Sequence, residues 1–285
     1  MTGAALALVL PSAAAHATWN MLAKRSGGGL PFVWIAGMAS ATVLFPVAVV
    51  VLLLGDGGLS AAGLGWMVGS ATIHAVYFLT LQRGYRGGDL SVVYPLVRGT
   101  GPMLASIGAV ILLGESPSVL RVIGAALILG AILIVGWSST GREGHDPEAV
   151  RWALTTGVLV AAYTLWDKHG VDGLDVHPVV YLFGAEVART ALLYPLAARR
   201  LDETRREWTA NRREVIGFGF LGPLSYTLFL AALTFAPVTL VAPLREVSIL
   251  IGVVLGGQLL GEEDTSRRAL AAGAMVAGIA ALAAG

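Results

Sequence analysis

Three arginines lie well inside apolar stretches of this chain: Arg98 in YPLVRGTGP (94–102), Arg189 in FGAEVART (183–190) and Arg245 in APLREVS (242–248). A guanidinium stays charged at any physiological pH. At the centre of an isolated membrane helix it costs about 2.5–3.5 kcal/mol on insertion scales, so each arginine requires an acid, cavity water or an anionic ligand. Two acids share these stretches, Glu186 and Glu246. Glu186 and Arg189 stand three residues apart on one helical face and are expected to pair with each other. Glu246 follows Arg245 directly and points about 100° away around the helix, so these two are not a simple local pair. In one arrangement Glu246 neutralises Arg98 and leaves Arg245 for an anion such as a substrate carboxylate. In the other, Arg98, Arg245 and Glu246 form a resting network that locks the structure.

Around Arg98 the chain carries Pro95, Gly99, Gly101 and Pro102. Proline removes a backbone donor and strands the carbonyl four residues earlier, while glycine tolerates unwinding or close approach. Inside a membrane such breaks persist only where protein or cavity water satisfies the freed groups. The pattern predicts an interrupted helix that presents Arg98 to a pathway, with Pro243 marking a weaker counterpart before Arg245; the competing reading is a packing kink. Further candidates are His16, Trp19 and Asn20 near one another, His74 and Tyr77 one turn apart, Tyr94 beside Arg98, and Tyr163. His16 can carry a proton or hydrogen-bond a substrate, or it can be satisfied by a neighbouring helix. His74, Tyr77 and Tyr94 suit a polar wall, although membrane tyrosines also serve as interface anchors.

Holding such residues requires long apolar helices. Hydrophobic residues make up 56% of the 285 and charged residues 13%, about half the charged share of a soluble domain. Ten apolar runs, each near the roughly 20 residues that cross a hydrocarbon core, fall at about 3–23, 31–54, 64–82, 91–113, 119–137, 151–167, 177–198, 215–235, 238–260 and 267–284. The expected fold class is an all-α integral membrane protein of ten transmembrane helices. The first run lacks a basic leader and carries polar side chains, so it is expected to be a span rather than a cleaved signal. Fourteen Lys and Arg residues lie in the odd-numbered loops and only Arg121 and Lys168 in the even-numbered ones. This bias places the odd loops in the cytoplasm and both termini outside. The most basic loop, RRLDETRREWTANRRE (199–214), reads as a solvated connection.

The absence of cysteine excludes disulfides, thiolate catalysis and Cys-ligated metals. No H-E-x-x-H pair, G-x-S-x-G elbow or phosphate-binding G-x-x-x-x-G-K-[ST] loop occurs, so no enzyme activity, metal, cofactor or direct ATP use is expected. A net charge of +1 is uninformative about partners, and no nucleic-acid partner is expected.

A polar stretch near 138–150 divides the runs five and five, predicting a first repeat over 1–137, a linker over 138–150 and a second repeat over 151–285. At an offset of 147 positions, Trp19 and Asn20 fall on Trp166 and Asp167, Arg98 on Arg245, Gly114 and Glu115 on Gly261 and Glu262, and Arg121 on Arg268. His16 falls on Tyr163. Five spans per copy make the second copy enter from the opposite side, an inverted repeat whose binding site belongs at a central cavity and whose natural use is alternating access. Gly114 and Gly261 read as helix stops, with the following glutamates structural. The fifth and tenth spans are rich in Gly and Ala at small-xxx-small intervals and should pack helices together, within a monomer or in a homodimer. Asp167 and Lys168 are expected at the water boundary that ends the sixth span.

HATWNMLAKRS, GYRGGDLSVVYPLVRGTGP, LLGESPS, AAYTLWDKHGV and APVTLVAPLREVSILIGVVLGGQLLGEE together resemble the EamA family of the drug/metabolite transporter superfamily. The resemblance implies a ten-helix carrier in the inner (plasma) membrane, with a central cavity lined mainly by the third, fourth, eighth and ninth spans. It implies small metabolites as substrates, often amino acids moved outward. Small multidrug-resistance relatives place an essential glutamate eight residues before a lysine. Here His16 stands eight residues before Lys24, which argues against a cationic-drug antiporter. The resemblance favours cytoplasmic termini, against the charge bias. A carrier of phosphorylated or nucleotide-linked sugars is the alternative within the superfamily, since two arginines suit a phosphate as well; a non-transporting sensor or scaffold is the alternative outside it. Glu246 and His16 are the candidates for proton exchange, and uniport fits equally.

Overall fold

The computed structural model describes residues 2–26, 29–55, 58–87, 90–138, 147–249 and 265–285. These are helical, with no strand among them. The helices are α1 (Thr2–Arg25), α2 (Leu30–Leu53), α3 (Ala61–Gly87), α4 (Leu90–Leu112), α5 (Val119–Ser138), α6 (Pro147–Lys168), α7 (Pro178–Ala198), α8 (Leu201–Leu233), α9 (Val238–Arg245) and α10 (Thr265–Ala284), with a π turn over His169–Gly173 after α6. Four of them are long and apolar enough to cross a membrane, over Leu30–Leu53, Ala61–Leu81, Pro178–Ala198 and Leu201–Leu233. Leu96–Leu112, Val119–Leu133 and Gly273–Ala284 are shorter apolar helices.

Local signals set several ends. Gly29 adopts φ 112, a left-handed conformation that suits glycine, and Pro31 then occupies the first turn of α2, where its missing N–H costs nothing. His177 caps α7 by accepting the Val179 N–H at Nδ1, 3.3 Å away, and Pro178 opens the helix. The basic segment 199–214 is not a loop. Asp202 and Glu203 in the first turn favour a helix start, and α8 runs from Leu201 with one departure from helical backbone at Asn211 (φ −124, ψ 28).

The chain forms two compact units. The first comprises Met1–Leu10, Val76–Leu165 and Phe235–Gly285. Within it α4 packs on α5 and α9, and α5 packs on α9 and α10. α5 and α10 meet at Gly124 and Gly278, where a Cβ on either would collide with the other's backbone carbonyl. Their small residues are thus engaged inside the chain, and Ala131 and Ala271 are fully buried beside them. Val93 and Val97 of α4 form a core with Ala149 and Ala153 of α6.

The expected interruption of α4 at Gly99–Pro102 is absent, because α4 is helical throughout Leu90–Leu112. Its glycines serve close packing instead. A Cβ on Gly101 would strike Val160 of α6, and a Cβ on Gly157 of α6 would strike Thr100. A break falls instead after α9, which ends at Arg245, with Glu246 donating its N–H to the Pro243 carbonyl at 3.1 Å.

The second unit comprises Pro11–Ala75 and Trp166–Thr234. Here α2 packs on α7 and α8, around a core of Phe32, Ile35, Ala36 and Val215 with Phe218 and Trp34 against it. Ser12 and Ser225 exchange hydroxyl-to-carbonyl hydrogen bonds of 2.7 and 2.9 Å and tie α1 to α8.

Replacing Gly157 or Gly101 by valine is expected to destabilise the protein by about 1–3 kcal/mol through overpacking. At Gly130 an added Cβ would meet nothing within 4 Å, so alanine should be accepted there with no loss, since alanine is the better helix former. Thermal unfolding in detergent measures both.

Candidate functional site

In the first unit, α4 and α9 bring three of the sequence-selected charges together. Arg98 Nε lies 2.8 Å from Glu246 Oε2, an ion pair by distance rather than an aligned hydrogen bond. Arg98 Nη2 donates to Ser248 Oγ at 2.8 Å. Arg245, Glu246 and Ser248 are buried. Arg98 and Arg245 both act electrostatically on Glu246 and on the hydroxyl of buried Tyr163. Tyr77 of α3 meets Tyr163 edge to face, with ring centroids 5.7 Å apart. The cluster therefore holds two guanidinium groups, one carboxylate and two phenols among the described residues. In a low-dielectric interior its electrostatics favour an added anion over an added cation.

Positions offset by 147 differ in residue type here. Arg98 finds Glu246 and Ser248, whereas the residues at the corresponding positions, 147 earlier, are Gly99 and Gly101.

α9 is positioned from its other end by Glu115. Pro237 at the N-cap offers no side-chain cap, and Glu115 fills that role with Oε1 accepting the Val238 N–H at 2.7 Å and Oε2 the Thr239 N–H at 2.9 Å. A carboxylate on two free N–H groups at a helix start is favoured by both hydrogen bonding and the helix dipole. Glu115 thus caps a distant helix, neither facing water nor starting its own next helix. Gly114, at φ 68, turns the chain out of α4 to allow this.

The second unit holds a cluster that the sequence did not reveal. Asp167, one residue before the end of α6, is fully buried. Its Oδ1 accepts the Tyr181 hydroxyl at 2.8 Å, and its Oδ2 accepts the Tyr226 hydroxyl. The chain continues past Lys168 into the π turn, so Asp167 is not at the free end of a helix. Lys168 donates to the Leu233 carbonyl and pairs with Asp172 at 2.9 Å. His74 lies against Ser70, with Nδ1 3.0 Å from the Ser70 carbonyl, and its ring meets Tyr226 edge to face. Trp66 and Trp166 stack at 4.1 Å, each indole N–H donating to the other's carbonyl at 2.8 Å. The signal that could have found this site is the tyrosine content of the seventh and eighth spans together with Asp167, an acid inside the apolar run of the sixth.

His16 is buried and packs edge-on against Trp19, which meets Phe218 of α8. Asn20 donates to the His16 carbonyl at 2.7 Å, a local bond within α1. His74 and Tyr77 have different partners, in different units. Glu186 and Arg189 pair at 2.6 Å, as their spacing predicts. Gly37 of α2 leaves room beside them, where a Cβ would come within 3.0 Å of Thr190 Oγ1. The side chains of Lys24, Tyr94, Pro95 and Arg268, and residues Gly261 and Glu262, lie outside the described residues.

Removing Arg98 alone leaves a buried carboxylate, and Arg98→Met is expected to cost about 3–5 kcal/mol in unfolding free energy. The double variant Arg98→Met/Glu246→Leu should recover most of that loss, because an apolar replacement of both partners is nearly neutral. Thermal or denaturant unfolding of the two variants and of Glu246→Leu closes the cycle.

Residues 148–284 match the family model described as the EamA-like transporter family. No curated protein matches the chain. A solved structure described as "Crystal structure of protein" superposes with a TM-score of 0.72 over 98% of this chain and 96% of that one, at 18% identity. At that identity the likeness is one of fold.

Proposed function

We propose that this chain, which through residues 148–284 belongs to the EamA-like transporter family and is thereby a multi-pass membrane transporter of the drug/metabolite type, carries a small polar metabolite with a carboxylate, an amino acid or a close relative, outward by alternating access. The observation that carries the reading is the pairing of half-buried Arg98 with buried Glu246, next to buried Arg245. A substrate carboxylate competes with Glu246 for the guanidinium groups, with Ser248, Tyr77 and Tyr163 as hydroxyl partners. Arg245 engages the carboxylate and Glu246 becomes free to take a proton. An arginine fork matches a carboxylate in two parallel hydrogen bonds, which selects it over neutral solutes.

Two inverted five-helix repeats, 1–137 and 151–285 joined by 138–150, fit the packing within each unit. In the first unit α4 packs on its twin α9, and α5 on its twin α10. In the second, α2 packs on its twin α7, while Trp19 of α1 meets α8 and Trp166 of α6 meets α3. Shifted back by 147, residues 166–234 fall on 19–87, close to the 11–75 with which they form one unit. The positive residues favour the cytoplasmic side for the odd loops, in the inner (plasma) membrane of the cell. Small residues of α5 and α10 already used against each other favour a monomer as the transporting unit.

The test is flux in proteoliposomes for a panel of amino acids, amines and sugar phosphates, with and without a pH gradient. Amino-acid flux is expected, and Arg245→Ala should lower it about 10- to 100-fold, the contribution of a charged hydrogen bond, with folding retained. Unchanged flux in Arg245→Ala and in Arg98→Lys refutes the assignment. Flux confined to sugar phosphates would assign the arginines to a phosphate instead.

A further inference from the structure

We propose that the arginine-rich start of α8 is a docking surface for the anionic phospholipid headgroups of the surrounding leaflet. α8 has 33 residues, about 50 Å of helix at 1.5 Å per residue, whereas about 20 residues cross the hydrocarbon core. The surplus falls at the charged end, and the backbone departs from helical geometry at Asn211, where the surplus meets the apolar remainder. Asn211 Nδ2 donates to Glu207 Oε1 at 2.8 Å and fixes that corner. The segment before the corner is thus free to follow a different direction from the spanning part.

Its faces are sorted. Thr204 is buried and Glu207 and Asn211 are half-buried, a stripe facing the body of its unit. Leu201, Arg205 and Trp208, at spacings of four and three, form an exposed stripe beside it. Leu201 is 48% exposed and Trp208 43% exposed, an unfavourable display in water and a favourable one at the level of lipid headgroups, where tryptophan concentrates. Basic charge surrounds this stripe. Arg199, Arg205, Arg206, Arg212 and Arg213 are exposed or half-buried, and among the described residues none forms an ion pair. Arg200 reaches only Glu203, at 3.6 Å, and both are exposed. Six arginines face four acids over 199–214, and one of those acids, Glu207, is engaged by Asn211. A guanidinium fork binds the two free oxygens of a phosphodiester side by side, and a hydrated carboxylate on the same helix is a poor substitute. Position at the end of a spanning helix, an interfacial tryptophan and arginines lacking acids select a lipid surface over a soluble anion.

The experiment uses the full chain, purified in neutral detergent and exposed to equal amounts of phosphatidylglycerol and phosphatidylcholine, with the retained lipids counted by native mass spectrometry. Wild type is expected to retain phosphatidylglycerol preferentially, with the preference collapsing at high salt, where screening shortens to about 3 Å. Arg205→Gln/Arg206→Gln/Arg212→Gln should lower the preference by about fivefold per arginine, with unfolding temperature unchanged. Trp208→Ala should weaken retention of both lipids without altering the salt dependence. Equal retention of the two lipids by wild type, or an undiminished preference in the triple variant, overturns the proposal. A dimer by light scattering that dissociates in the triple variant would assign the surface to a second copy of the chain and also overturn it.

Discussion

The half-buried charge of Arg98 constrains more of this structure than any other single feature. A guanidinium has no neutral form to retreat to, so the first unit must supply a counter-charge and hydrogen-bond acceptors within a helical, largely apolar interior. Glu246 and Ser248 supply them, and both lie on the segment that leaves α9. α9 therefore has to end where it does. Pro243 cannot donate to the turn before it, Arg245 is the last residue of α9, and Glu246 forms the turn before helical backbone resumes at 247–249. The short helix that results is fixed at its start by Glu115 and at its end by Arg98, and α4, which carries Arg98 and runs out toward Glu115, serves both contacts.

Close packing is the second condition. α4 can carry an arginine, two prolines and three glycines and still remain a continuous helix, because Gly101 and Gly157 let α4 and α6 approach within side-chain-free distance. Dispersion contacts at that range, together with hydroxyl bonds such as Thr100 Oγ1 to the Leu96 carbonyl at 2.6 Å, offset the donor that Pro102 removes. The same device recurs between α5 and α10 at Gly124 and Gly278. In the second unit the corresponding work is done by large aromatic side chains, with Trp66 and Trp166 stacked and Asp167 held by two tyrosine hydroxyls. Charges in the interior are met by an ion pair in each unit, Arg98 with Glu246 in the first and Arg189 with Glu186 in the second, and in the second also by the neutral hydroxyl donors on Asp167.

Scarcity makes the principal site legible in the sequence. Intramembrane charges are so few that Arg98, Arg245, Glu246, Glu186 and Arg189 stand out by type alone, and the i, i+3 spacing of Glu186 and Arg189 is enough to pair them. What stays illegible depends on partners distant in the chain. Glycine beside proline reads as a break until the neighbouring helix is known, so the continuity of α4 is hidden. Glu115 binds N–H groups more than a hundred positions away, and a terminal glutamate after a helix stop gives no sign of that. Asp167, next to Lys168 near a helix end, reads as exposed; its burial rests on Tyr181 and Tyr226, on helices whose approach no local pattern encodes. The basic run 199–214 reads as a loop because charge resembles solvation, yet its acidic first turn and regular spacing are those of a helix.

In the proposed function Arg98 and Glu246 form an exchangeable ion pair whose sign selects the substrate. The most direct measurement is made on the charge-reversed double variant Arg98→Glu/Glu246→Arg, with unfolding temperature and proteoliposome flux recorded on the same preparation. An exchangeable pair predicts an unfolding temperature near that of wild type, because opposite charges still meet, together with loss of carboxylate flux, because the arginine now sits on the other helix. Wild-type flux in that variant, or a collapse in stability equal to that of either single reversal, would contradict it.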